Sequence, residues 1–338
     1  MSLFPRQIRS PLDVVHRENK WKLLRLRGPR KGPPVLLVPS LINRWYVLDL
    51  LPGKSFAASL VERGLDVFVV DWGTPADEDR FLTFDDVCDR YLGRAVRRAS
   101  ALSAGQPVHL LGYCMGGTLT AIHAAVRPER VASLCLVAAP IRFAEGGILT
   151  DWSRTPSFDP GLLASLGNVP WPLLQATFHM LRPTLLLSKV VNLLPRLGDR
   201  EFVRGVLALE GWGNDNVSFP AEVFRAWIGD LYQRDQLFHG EFALSGQAVR
   251  LEAIRCPTMV VTFEQDHIVP KASATAILDK IPPRLVTHIH YPGGHVGAMT
   301  SRAAATGLWP ELGGWLAQGA PIVPSIRPSG ASVPVLSA

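Results

Sequence analysis

Residues 110–119, Leu-Leu-Gly-Tyr-Cys-Met-Gly-Gly-Thr-Leu, constrain what this chain can fold into more than any other stretch. A mostly apolar, strand-like run from Val108 leads up to Cys114, and a helix-like run, 115–128, follows it and stops near Pro128. Between the two stands Gly112-x-Cys114-x-Gly116. Glycines on both sides of a single polar residue let a strand turn sharply into a helix and let the two backbones approach closely. A strand that feeds a helix in this way belongs to a mostly parallel sheet, and the rest of the chain repeats the rhythm. Strands are expected at 34–40, 66–72, 108–114, 131–140, 257–266 and 285–294, and helices at 55–64, 83–105, 115–128, 271–281 and 302–317. The first four strand segments are apolar nearly throughout and do not alternate, as a sheet covered on both faces requires. The helix at 83–105 opens on a capping pattern, Thr83 to Asp86, and closes at Gly105.

The turn around Cys114 is the nucleophile elbow of the α/β-hydrolase fold, with cysteine where serine usually stands. The fold class expected is therefore α/β, with helices on both faces of a central sheet and an inserted helical cap. Residues 1–145 would form the first part of the core, 146–247 the cap and 248–318 the second part of the core, followed by a mobile tail at 319–338 rich in Pro and Ser. The cap is inferred from a stretch rich in Leu, Trp, Phe and Pro that shows no strand–helix alternation, with 220–237 as its clearest helix. Hydrophobic residues make up 47% of the 338 and charged ones 19%, which suits one large buried core. The net charge of +6 is scattered; its densest cluster, 17–31, alternates with apolar residues like a strand and carries no nucleic-acid motif. Cys88, Cys114, Cys135 and Cys256 have no paired spacing, so neither a disulfide framework nor a metal site is expected, and Cys135 and Cys256 read as small buried hydrophobes. No secretory signal is visible, and the longest apolar stretch, 173–195, is broken by charged residues and proline, so no membrane span is expected and the cytoplasm is the default location.

In this fold the catalytic residues follow the chain order nucleophile, acid, histidine. Cys114 holds the first place. Asp266 ends the strand expected at 257–266, where the acid belongs; Asp71 also ends a strand but precedes the elbow, and reads as a residue that fixes its loop. His295 follows the last expected strand between glycines, in Gly293-Gly-His-Val-Gly297. His267 adjoins Asp266 and would point away from it, and His288 and His290 lie within a strand. The expected roles are proton acceptor for His295 and orienting charge for Asp266. Two backbone N–H groups should form an oxyanion hole, one from Met115 and one from Leu41 or Ile42 in the loop 39–45. The thiol narrows the chemistry. An ester hydrolase gains nothing from an acyl-thiol. Exchange between a thioester and a thiol is nearly isoenergetic, so the acyl group stays activated on the enzyme and then passes downhill to an alcohol. A thioester-fed acyltransferase follows.

At this level of detail the chain resembles the polyhydroxyalkanoate synthases, which polymerise (R)-3-hydroxyacyl-CoA into polyester. The resemblance rests on 39–50 (PSLINRWYVLDL), 64–75 (GLDVFVVDWGTP), 111–117 (LGYCMGG), 224–242 (FRAWIGDLYQRDQLFHGEF), 254–270 (IRCPTMVVTFEQDHIVP), 293–297 (GGHVG) and 309–316 (WPELGGWL), in the family's order. It implies that Cys114, Asp266 and His295 take the family's catalytic roles, and that His295 also activates the incoming hydroxyl. It implies acyl-CoA and the growing polyester as substrates, no further cofactor, no metal and no nucleic acid. The length is similar to that of the short synthases that work with a second subunit, so such a subunit or a homodimer is the expected partner, and the polyester granule surface the expected place of work. A thioesterase or polyester hydrolase with the same triad is the alternative, and a scaffold protein with a vestigial site a third reading that the intact triad opposes. Exclusion of water separates the first two, and Trp152, Trp171, Trp212 and Trp227 are the cap residues expected to provide it.

Overall fold

In the computed structural model, residues 10–181 and 198–320 are described. Ten strands are present among them: β1 (Leu12–Glu18), β2 (Trp21–Leu26), β3 (Pro34–Val38), β4 (Asp66–Asp71), β5 (Val108–Tyr113), β6 (Val131–Val137), β7 (Ala243–Leu244), β8 (Gln247–Ala248), β9 (Thr258–Phe263) and β10 (Val286–Tyr291). Eight of them form one sheet in the order β1-β2-β4-β3-β5-β6-β9-β10. From β4 to β10 every neighbouring pair is parallel, and β1 and β2 add an antiparallel edge. The fold is the α/β hydrolase fold expected. The antiparallel pair corrects the reading at the N-terminus, where one strand was expected within 17–31. β1 has a half-buried edge position and no clean alternation, so its pattern is weak until β2 supplies a partner.

Burial explains the unbroken apolar strands. Leu36 and Val38 pack on one face of the sheet, Val35 and Leu37 on the other, and none of the four is exposed. The first face is covered by the helical stretch Asp85–Leu102 and by α3 (Met115–Val126). The second is covered by α1 (Phe56–Glu62) and the helix Trp309–Ala317. α2 is the α-helical part of the first stretch, Gly93–Leu102; the turns before it, Asp85–Leu92, are π-wound rather than the regular helix expected. Its start is as read: Thr83 Oγ1 accepts from the Asp86 N–H at 3.3 Å, and the Asp86 carboxylate accepts from the Thr83 N–H at 3.0 Å.

Between β6 and β9 the chain leaves the sheet. It runs through helices Ile148–Ser153, Pro160–Ser165, Trp171–Met180, Arg200–Gly213 and Ala221–Ala226, the last continuing as a π-wound segment, Trp227–Gln233. The helix expected over 220–237 breaks at Asp235, whose φ of 51° is left-handed; its carboxylate instead accepts the Phe143 N–H at 2.7 Å. The short hairpin β7–β8 turns through Ser245 and Gly246, both at positive φ, as a tight two-residue turn demands. The apolar stretch 173–195 lies partly, and the tail at 319–338 almost wholly, outside the described residues. No helix among the described residues is long and apolar enough to cross a membrane.

Strand order places the site. The chain moves from β3 outward to β4 and then back across to β5 on the other side of β3. At such a reversal the loops leaving the carboxyl ends of two adjacent strands part and open a crevice. Here those loops are 39–45 after β3 and the elbow after β5.

Candidate active site

Cys114 sits between β5 and α3 with φ 56° and ψ −130°, a conformation that costs a non-glycine residue about 1–3 kcal/mol. The surroundings enforce it. The Cys114 N–H donates to the Val137 carbonyl at 2.9 Å, and its carbonyl accepts from Gly117 at 2.8 Å. The three glycines are required by space. A side chain on Gly112 would strike Gly117 and the Gly116 carbonyl, one on Gly116 the carbonyls of Val38 and Pro39, and one on Gly117 the Ala139 methyl. The thiol is thereby held out of the turn, partly exposed, at the N-terminus of α3 where the helix dipole favours negative charge.

His295 and Asp266, 29 residues apart, meet at the ends of β10 and β9. His295 Nδ1 lies 2.8 Å from Asp266 Oδ2, and the two side chains are 8% and 1% exposed. Asp266 Oδ1 accepts the N–H groups of Ile268 and Val269 at 2.9 and 2.8 Å. The two loops are also tied to each other, because the Gln265 N–H donates to the Gly293 carbonyl at 2.8 Å. Glycine is needed there: Gly293 has φ 117°, and a Cβ on Gly294 would lie 3.1 Å from the Gln265 carbonyl oxygen. Burial alone would lower the His295 pKa. The Asp266 carboxylate and the Cys114 thiol outweigh it and raise the value to about 10. Burial likewise pushes the Asp266 carboxyl up, and the His295 ring with the two backbone donors more than offsets this, holding it below its ordinary 3.8. The arrangement is a thiol, an imidazole that prefers to carry a proton, and a carboxylate fixed behind it.

Among the residues expected as oxyanion donors, Met115 opens α3, and Leu41 and Ile42 follow β3; all three are buried. The backbone N–H groups of Leu41, Ile42 and Met115 find no acceptor among the described residues. The residues set aside behave as read. Asp71 accepts the Gly73 N–H at 3.0 Å and lies 3.4 Å from Lys22. His267 is exposed, while His288 and His290 each bond the Thr262 hydroxyl at 2.9 Å. Cys135 is buried, whereas Cys256 is only partly so, and burial pushes its thiol up to about 11.

A family profile of the α/β hydrolase fold matches residues 33–301. The chain is 34% identical over 92% of its length to the poly(3-hydroxyalkanoate) polymerase subunit PhaC of Haloferax mediterranei, spanning 64% of that protein. It is 33% identical over 91% of its length to the subunit of the same name from Allochromatium vinosum, spanning 88% of it. The chain belongs to the poly(3-hydroxyalkanoate) polymerase PhaC family. Solved structures add the fold alone. The polymerase-family chain superposes on the thioesterase domain of the curacin biosynthetic pathway with TM-score 0.54 at 17% identity, covering 89% of this chain and 98% of that one. For a proline iminopeptidase-related protein of Thermus thermophilus the TM-score is 0.57 at 16% identity, with 92% and 100% covered.

Other residues of this PhaC-family chain reach the site without any local signal. The Tyr113 hydroxyl donates to the His295 carbonyl at 3.1 Å, and the two rings lie 5.2 Å apart. Tyr232, from the helical insertion, packs edge-on against Phe143 at 4.8 Å. Burial raises the Tyr232 pKa, and the charge of Cys114 adds to the rise. Trp227 stacks on Phe84 and meets Phe143 edge-on, and Trp212 is buried beside the loop after β3. Trp152, in contrast, is 37% exposed, and Trp171 only partly buried, so the four tryptophans do not act as one set.

Proposed function

We propose that this chain polymerises (R)-3-hydroxyacyl groups, delivered as CoA thioesters, into polyester on Cys114, with segment 146–247 as a cap that keeps water from the acyl group. The observation that carries the reading is a cysteine, rather than a serine, on an elbow backed by the His295–Asp266 pair. His295 takes the thiol proton. The thiolate attacks the thioester carbonyl, and the N–H groups of Met115 and of Leu41 or Ile42 hold the developing oxyanion. The C–S bond to CoA breaks, and CoA leaves with the proton from His295. The hydroxyl of the next 3-hydroxyacyl unit then gives its proton to His295 and attacks the Cys114 thioester. An oxygen ester forms, the C–S bond to Cys114 breaks, and the longer chain can return to the thiol. The second step is downhill because an oxygen ester is more stable than a thioester. Water would compete, and the aromatic set Phe143, Trp227 and Tyr232 packed against the core is the physical means of excluding it. No cofactor is needed, since CoA is part of the substrate. A second synthase subunit or a second copy of the chain is the partner we expect, in the cytoplasm at the polyester granule surface.

Incubation with (R)-3-hydroxybutyryl-CoA, following CoA release and product size together, tests the reading. CoA release accompanied by dimeric and longer esters supports it. Free 3-hydroxy acid matching CoA mole for mole from the start, with no longer ester, would make water the acceptor and replace polymerase with thioesterase.

A further inference from the structure

The loop after β3 is held by the helical insertion as much as by the sheet. Three consecutive loop residues are bonded to one short stretch that lies about 170 positions later in the chain. The Ile42 carbonyl accepts the Val217 N–H at 3.4 Å, Asn43 donates to the Asn216 side chain at 2.8 Å, and the Arg44 carbonyl accepts the Trp212 indole N–H at 2.9 Å. Asp215 is the hub. Its carboxylate accepts Arg44 Nε at 3.1 Å and the Tyr46 hydroxyl at 2.7 Å, so it grips both the loop and the helical turn Trp45–Asp49 that follows it. Arg44 is anchored on its other side by the Thr74 hydroxyl at 2.8 Å. Immediately upstream stand Leu41 and Ile42, whose N–H groups are the second donors of the oxyanion hole in the reading above.

We infer that Asp215 is a positioning residue for the oxyanion hole: through Arg44 and Tyr46 it fixes the backbone that carries Leu41 and Ile42, so that the seating of the helical insertion sets the competence of the site for acyl transfer. The inference rests on the reading of Cys114 as an acyl carrier. A donor that drifts by a fraction of an ångström loses much of its hold on a transition-state oxygen, because that hold depends on fixed geometry. The attack of a thiolate on an alkyl halide forms no oxyanion, and is indifferent to these donors.

The two reactions separate the roles. Alkylation of Cys114 by iodoacetamide and its acylation by (R)-3-hydroxybutyryl-CoA are to be measured on the intact wild-type chain, on Asp215→Ala and on Tyr46→Phe. Loss of a whole oxyanion donor costs about 10²–10³ in rate, so misplacing one should slow acylation roughly 10- to 100-fold. The expected result is that loss in Asp215→Ala, in kcat rather than KM, and a smaller loss of the same kind in Tyr46→Phe, with alkylation within about twofold of wild type in both. Tyr46→Phe keeps the ring and removes one hydroxyl, so it answers the question even if Asp215→Ala folds poorly. Equal loss in both reactions would make the contact merely structural, and unchanged acylation would leave it without effect; either overturns the inference. A wild-type chain that alkylates but does not acylate would instead refute the acyl-carrier reading.

Discussion

At Cys114 one residue is held in a costly conformation by backbone bonds and by three glycines that admit no side chain. The type and place of Cys114, Asp266 and His295 were legible in the sequence because each follows a strand end and the chain order of the fold is fixed. Their hydrogen bond was not, because a 2.8 Å contact between two loops depends on the register of β9 and β10. Asp266→Asn should leave the chain folded and lower turnover roughly 10²- to 10⁴-fold, because His295 loses the charge that orients it as the proton acceptor. The same variant carries a pH signature. Asp266 is held below its ordinary 3.8, so its contribution to stability is present above that value and lost as pH falls. His295 is raised from 6.5 to about 10, so its contribution is full below 6.5 and fades as pH climbs toward 10. The stability margin of wild type over Asp266→Asn, measured by denaturant unfolding, should therefore be widest between about pH 4 and 6.5. A margin that grows above pH 10 would contradict the assignment.

Among the elements, β3 to β6 and β9 stood close to their expected bounds because burial on both faces writes a continuous apolar run, while β10, a half-buried edge strand, was bounded by the glycines that follow it. β1 and the hairpin β7–β8 had no such run and were missed. The π-wound turns were missed as well, since helical spacing of apolar residues does not report an extra residue per turn. Close packing of elements makes a sharp prediction about glycine. Gly116 faces the carbonyls of Val38 and Pro39, whereas Gly314, in the helix Trp309–Ala317, has nothing within 4 Å of its missing Cβ. Gly116→Ala should destabilise by about 1–3 kcal/mol through overpacking and disturb the mouth of the oxyanion loop. Gly314→Ala should stabilise by about 0.5–1 kcal/mol through helix propensity. Chemical denaturation of both variants checks the opposite signs; equal signs would mean that the elbow is less tightly packed than described.

For the whole molecule, the contacts that matter most join parts remote in sequence. Asp215 reaches Arg44 across 171 positions, and Tyr232 from the insertion shares an aromatic cluster with Phe143. Composition announced a helical insertion, but nothing in the local pattern around Asp215 or Tyr232 told which residues they would meet, because only the folded insertion brings them to Arg44, Tyr46 and Phe143. In the proposed mechanism the same architecture lets a hydrolase fold store an acyl group: the thiol would keep it activated, and the apolar insertion would limit the competition from water. The central claim is that polyester grows from Cys114. Rapid quenching after mixing with (R)-3-hydroxybutyryl-CoA, followed by proteolysis and mass spectrometry, reads it directly. The account predicts a ladder of adducts, spaced by one hydroxyacyl unit, on the peptide that carries Cys114 and on no peptide carrying Cys88, Cys135 or Cys256. A ladder on another cysteine, or a single acyl unit on Cys114 that never lengthens while CoA is released, would contradict it.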